Sequence, residues 1–262
     1  MNLFLDTCVL PRLRLEEALA YREAFGGDLG FELLPMFDMP GFEDNLRKNL
    51  SFLENVPLTF HEPVWGVEHT APRGTPAWAE SMYHLELTKK YADILHPRYM
   101  VYHLSNCPIP PAGKERMLRT SLENMEATRA LFPGCTLLLE NNGIRRDGTL
   151  LADMEEFTAL CLDRQADVII DVGHANANGW DLFRLIGDLK DRIRGFHLHN
   201  NDGIHDLHNR LRDGTIDFRK LIPFIVRTVP EAYLVIEYTR PELHGEPLRE
   251  DILYLRQLEA LS

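Results

Sequence analysis

The sequence predicts an α/β chain folded as one (β/α)8 barrel spanning residues 1–262. Three observations carry this. Eight short apolar runs recur, at 3–5, 30–34, 58–60, 99–102, 136–139, 168–170, 193–198 and 233–236. They are β-branched, leucine-rich or aromatic without alternation, as strands buried on both faces require. Segments of helical spacing separate them, and repeated strand-then-helix units imply a parallel sheet. Finally, eight units in 262 residues match the size of such a barrel. A doubly wound sheet competes, but it needs fewer strands at this length, and no glycine-rich phosphate fingerprint follows Leu5.

Taken in order, the first run precedes Leu15-Leu19-Ala20, read as the apolar face of a helix. The second precedes Leu46-Leu50-Leu53 and the third Met82-Leu85-Tyr91-Ile94. Before the latter, Thr75-Pro76 reads as an N-cap followed by proline at the first helical position. The fourth run precedes Met117-Leu118-Leu122-Met125 and the sixth Leu182-Leu185-Ile186-Leu189. Asp217 can cap a helix beginning near Phe218, and the last unit ends near Leu258. No linker or low-complexity stretch divides the chain.

Charge and composition narrow the partners. Lys and Arg number 28 against 40 Asp and Glu, a net charge of -12. That balance disfavours nucleic acid, whose phosphates ask for a basic face. No apolar run reaches the roughly 18 residues of a membrane helix. The short apolar start lacks a basic leader and meets Asp6 at once, so it does not read as a signal peptide. Cys8, Cys107, Cys135 and Cys161 are widely spaced without a C-x-x-C pair. A cytoplasmic location is the expectation.

In a (β/α)8 barrel, residues at the carboxyl ends of the strands face the active-site mouth. Here the strand ends deliver Glu32, His61, His103, Glu140, Asp171, His197 and Glu237. His174 follows three residues after Asp171, His199 two after His197, and the next loop adds Asp206 and His208. Singly, each has a bland reading as a hydrogen-bonded structural residue. Together, that many carboxylates and imidazoles on one rim would repel or stay unsatisfied without a divalent cation. Mixed ligation suits zinc, manganese, cobalt or iron rather than calcium. His199 reads as a substrate contact or as support for a ligand. Trp65, Trp180 and Phe37 follow strand ends and could wall a pocket or pack helices. His69, His84, His96, His205 and His244 read as structural or solvated, and Asn200-Asn201-Asp202-Gly203 as a turn.

With these residues in view, the chain resembles the xylose isomerase-like TIM-barrel superfamily of sugar isomerases, sugar epimerases and endonuclease-IV-type AP endonucleases. The most specific pieces are Glu140-Asn-Asn, Asp171-Val-Gly-His174 and the stretch from His197 through Asp206-Leu-His208. For the sugar branch, the resemblance implies one divalent metal held by Glu140, Asp171, His197 and Glu237. The two glutamates then also transfer protons, and His174 touches substrate. For the nuclease branch it implies nine ligands for three zincs, adding His61, His103, His174, Asp206 and His208. One to three ions per chain (zinc, manganese or cobalt) are thus implied.

The flanking residues lean from the nuclease. Its members usually read Glu-Asn-Thr-Ala-Gly, Asp-Thr-Cys-His and His-Pro-Gly at three of these sites. This chain reads Glu140-Asn-Asn-Gly143, Asp171-Val-Gly-His174 and His103-Leu-Ser105. The loop at 35–44 has three acidic residues and no basic one. Basic residues near the predicted rim (Arg12, Arg14, Arg73, Arg145, Arg146, Arg210, Arg212 and Arg240) are scattered over five loops. A glycine usual to both branches is replaced around Arg212, which reads as a substrate contact or a solvated loop charge. The expectation is a metal-dependent isomerase or epimerase of a small sugar, sugar phosphate or related hydroxy-carbonyl compound. Glu140 and Glu237 would be its acid–base pair through a metal-stabilised enediolate. Polyol dehydration lies close by. The alternatives are a zinc phosphodiesterase of the AP endonuclease type and a silent barrel with a structural metal.

Overall fold

In the computed structural model, residues 2–11 and 14–261 are described. The eight strands are β1 (Asn2–Asp6), β2 (Gly30–Leu33), β3 (Leu58–Phe60), β4 (Tyr99–Tyr102), β5 (Thr136–Glu140), β6 (Val168–Asp171), β7 (Ile193–Leu198) and β8 (Tyr233–Ile236). They form a closed barrel in chain order. Every neighbouring pair is parallel, and β1 closes on β8 with Phe4 opposite Val235.

Helices α1 (Glu16–Phe25), α2 (Phe42–Leu53), α3 (Pro76–Leu95), α4 (Lys114–Leu131) and α5 (Met154–Arg164) follow the first five strands. Then come α6 (Val172–Ala177), α7 (Leu182–Leu189), α8 (Phe218–Thr228) and α9 (Glu246–Ala260). Thr75 caps α3 by accepting from Trp78 N, and Asp217 caps α8 by accepting from Arg219 N. The face expected for α1 is wrong in part. Leu15 is buried, but Leu19 and Ala20 are exposed, and Ala18 and Tyr21 complete the buried side. α6 is a further departure, a short helix starting directly at the end of β6.

The main core lies between barrel and helices, while Phe4, Val101, Leu138, Ile169, Tyr233 and Val235 form a separate apolar cluster inside the barrel. This inner set fixes the parity of the strands. Side chains two residues on point the same way. Phe4 therefore implies Asp6, Val101 implies His103, and Leu138 implies Glu140. Ile169 likewise implies Asp171, and Val235 implies Glu237. The floor is closed by rings, Phe4 against Tyr233 at 5.1 Å and Tyr99 against Tyr233 at 5.6 Å. Gly195 makes room for this floor, since a Cβ there would stand 2.6 Å from the Tyr233 ring.

Candidate metal centre and active site

Above the apolar floor, the barrel turns polar. Glu32, Glu140, Asp171 and His197 are fully or almost fully buried, and His61 and His103 nearly so. His197 Nδ1 lies 3.5 Å from Glu140 Oε2, 3.6 Å from Glu237 Oε2 and 3.8 Å from Asp171 Oδ2. Its other nitrogen, Nε2, is 2.7 Å from Glu32 Oε1. His103 Nε2 approaches Glu140 Oε2 at 2.9 Å and His61 Nε2 approaches it at 3.7 Å. His174 bridges, with Nδ1 3.0 Å from Glu140 Oε1 and Nε2 3.3 Å from Asp206 Oδ2. His208 Nε2 reaches the same Asp206 oxygen at 3.3 Å, and His199 Nε2 reaches Asp171 Oδ2 at 3.1 Å.

The loop carrying Asp206 and His208 is held from beneath by two asparagines read from sequence as a turn. Asn200 and Asn201 are fully buried. Asn200 Nδ2 donates to Leu211 O at 2.8 Å, and Asn201 Nδ2 donates to Gly173 O at 2.8 Å. Asn200 and Asn209 exchange backbone hydrogen bonds on either side of the turn. α6 exists because Asp171 caps it, accepting from His174 N at 2.5 Å. One Asp171 oxygen is thus spent on the backbone, and the other faces His197 and His199. Gly173 lets His199 in, since a Cβ there would lie 1.9 Å from its ring.

The residues fit a divalent cation on three grounds. His197 Nδ1 and Glu237 Oε2 are buried without a hydrogen-bond partner, a costly state for polar atoms. The separations of 3.5–3.8 Å around Nδ1 are too long for hydrogen bonds. They are near the spacing of about 3.4 Å between ligands held about 2.1 Å from a tetrahedral zinc. Thirdly, donor atoms of Asp171, His197 and Glu237 all lie within 4.8 Å of one another. The same holds for His61, Glu140 and His197, for Glu140, Asp171 and His174, and for His174, His199, Asp206 and His208. Glu140 thus stands at the junction of groups rather than inside one four-residue set.

Electrostatics point the same way. Burial alone would lower His61, but the Glu140 carboxylate beside it carries it up to about 9. Burial is likewise overcome at His208, which Asp206 and Glu237 raise to about 9. At Glu140, burial is outweighed by the neighbouring His103 and His197, which hold the carboxyl well below its usual range. Asp6 at the end of β1 goes the other way. Burial, then Glu237 and Glu32, push it up to about 7, and its Oδ2 has no partner. An apolar run ending at Leu5 leaves Asp6 off the strand ends read from sequence. The strand continues one residue, so the strand-end rule applied to Asp6 too.

Several sequence-predicted residues lie elsewhere. The Arg212 guanidinium sits over the Tyr254 ring at 4.4 Å, lining an outer cleft beside α9 rather than joining the carboxylate cluster. Trp65 stands 55% exposed on the loop after β3. Phe37 stacks on Tyr91, and Trp180 packs on Phe157. His69 and His84 are buried, and His69 Nε2 lies 2.6 Å from Glu62 Oε2. Arg12 lies outside the described residues.

Comparison with solved structures bears on the whole chain. A D-tagatose 3-epimerase-like protein superposes with a TM-score of 0.79 at 16% identity, covering 100% of this chain and 98% of that one. An IolI protein with a bound zinc atom gives 0.74 at 16% identity, with 99% and 96% covered. AP endonuclease family 2 from Brucella melitensis gives 0.71 at 18% identity, with 98% and 99% covered. The chain shares the (β/α)8 barrel fold of these proteins. The neighbours of the same fold include both sugar epimerases and AP endonucleases. No protein-family model matches the chain. No curated protein matches it in sequence either.

Proposed function

We propose that this chain is a divalent-metal-dependent isomerase or epimerase of a small carbohydrate-like hydroxy-carbonyl compound. Asp171, His197 and Glu237 would hold the metal, with Glu140 as fourth ligand. One observation carries the reading. Glu140 at the end of β5 and Glu237 just after β8 approach the same unpartnered nitrogen, His197 Nδ1, at 3.5 and 3.6 Å. Two carboxylates thus flank one point at the barrel mouth, the placement that proton exchange at neighbouring carbons requires. When bound, a divalent cation would polarise the substrate carbonyl.

The remaining work falls to side chains. Glu140, kept ionised by His103 and His197, is suited to accept the proton beside the carbonyl. In an isomerisation Glu140 would return that proton to the neighbouring carbon, whereas in an epimerisation Glu237, entering protonated, would deliver its own to the opposite face. His174, between Glu140 and Asp206, can orient a substrate hydroxyl. Zinc is supported by the zinc-bound neighbour, and a sugar substrate by the epimerase neighbours.

A zinc phosphodiesterase of the AP endonuclease type is the second reading, favoured by the additional groups around His61, His103, Asp206 and His208. The rim argues against it. Arg14 pairs with Glu17 at 2.6 Å, and Arg210 is clamped by Asp251 and Glu250 at 2.9 and 2.7 Å. Arg73 donates to Glu123 O and Arg240 to Asn209 Oδ1. Asp38 and Asp44, beyond β2, have side chains 63% and 74% exposed and would repel a phosphate backbone. Metal analysis and incision of a synthetic abasic duplex by zinc-loaded protein separate the two. One ion per chain without incision supports the isomerase, whereas three zincs with robust cleavage lost in His208→Ala would replace it.

A further inference from the structure

Glu32 and His197 are both fully buried. β2 and β7 lie on different sides of the barrel, yet Glu32 Oε1 meets His197 Nε2 at 2.7 Å. The second Glu32 oxygen accepts from Thr59 Oγ1 on β3 at 3.0 Å. An ionised carboxylate only accepts, so the hydrogen of that contact belongs to Nε2. In a neutral ring the lone pair then falls on Nδ1. Nδ1 is the unpartnered atom facing Glu140, Asp171 and Glu237. The other tautomer would aim a hydrogen at three carboxylates and offer a cation nothing.

The support differs from that of neighbouring imidazoles. His61 Nδ1 rests on Glu62 O at 2.8 Å, and His103 Nδ1 on Asn106 Oδ1 at 2.7 Å. These are neutral acceptors. His197 leans on a carboxylate, which both fixes the ring and makes its far nitrogen a stronger donor. We propose that Glu32 is a positioning residue for the metal centre. It holds His197 in the tautomer and orientation that present Nδ1 to a divalent cation, and Thr59 holds Glu32 in turn. This inference rests on the metal-binding reading above. Its rival is a plain buried ion pair that contributes stability and has no selective effect on the cation.

Cobalt titration of the full chain, read by visible absorption and chelator competition, tests it. Thermal unfolding of each variant with and without cobalt runs alongside. Glu32→Ala should weaken cobalt binding about 10- to 100-fold and shrink the cobalt-induced gain in Tm. Glu32→Gln, which keeps the shape and an acceptor but loses the charge, should weaken it about 10-fold. Thr59→Val should do so by a smaller factor. Wild-type affinity and spectrum in Glu32→Gln would overturn the proposal even if Glu32→Ala fails to fold. So would a fall in Tm of equal size with and without cobalt, the mark of a plain ion pair. If the wild-type chain bound no cobalt, the metal reading itself would fail and this inference with it. Wild-type binding unchanged in the variants sinks the positioning role alone.

Discussion

Stripping the metal should make this protein lose stability as the pH rises. In the metal-free chain, neighbouring carboxylates raise both His61 and His208 to about 9, against about 6.5 in an unfolded chain. A group raised by folding contributes its stability below the unfolded value and loses it as the pH climbs through the folded one. The window is therefore about pH 6.5 to 9. Between about 6.5 and about 9 for each histidine, every tenfold change in proton affinity is worth about 1.4 kcal/mol. Each thus contributes on the order of 3 kcal/mol, less in sum because both share the Glu237 field. For a chain of this size, 3 kcal/mol corresponds to roughly 6–12 °C in Tm. Unfolding followed by circular dichroism at pH 6, 7, 8 and 9 in chelator should show that fall. Loading zinc should flatten it, because a cation held by Glu140 and Glu237 would offset the carboxylate charge that raises both imidazoles. His208→Asn should remove part of the slope. A metal-free Tm that stays level or rises between pH 6.5 and 9 would refute the charge assignment of the cluster.

Three further outcomes follow from single side chains. Glu140→Gln should lower turnover about 100- to 10,000-fold and weaken metal binding while leaving far-UV dichroism intact, which isothermal titration and kinetics would check. Asp6→Asn should stabilise the metal-free chain at pH 8 by about 1–3 kcal/mol, because the amide removes a buried negative charge facing Glu237 and Glu32, with no gain near pH 4. The reason is that Asp6, raised to about 7, loses stability between the unfolded value near 4 and 7; equal Tm values at pH 8 would contradict it. Gly173→Ala should cost about 1–3 kcal/mol through overpacking and displace His199, visible as a lower urea midpoint and a perturbed cobalt spectrum.

The sequence makes the barrel and its rim legible for one physical reason. Strands buried on both faces leave uninterrupted apolar runs, and the first polar residue after each run marks the mouth. Glu140, Asp171 and Glu237 are found by that rule, while His197 lies inside the seventh run. The rule misplaces what depends on chain paths between strands. Leu19 and Ala20 fit a helical spacing, yet α1 buries Leu15, Ala18 and Tyr21, because spacing alone leaves the choice of face to packing. Asn200 and Asn201 have turn chemistry but serve as a buried brace, their side-chain amides bonded to Leu211 O and Gly173 O. Arg212 sits one loop from the cluster in sequence, and its contact with Tyr254 depends on α9 folding back from the end of the chain. Glu32 was visible as a strand-end carboxylate. Its partner, 165 residues away, becomes visible only when the barrel closes.

In the proposed reaction, Glu140 and Glu237 exchange protons with a small hydroxy-carbonyl substrate beside a divalent cation. Deuterium incorporation tests it most directly. Metal-loaded protein is incubated in heavy water with a panel of ketoses and aldoses, and the carbon-bound hydrogens beside the carbonyl are followed by proton NMR. Exchange is expected for at least one sugar, lost on chelation and in Glu140→Gln and Glu237→Gln alike. Exchange that survives in both variants, or no exchange from any sugar alongside efficient incision of abasic DNA, would contradict it.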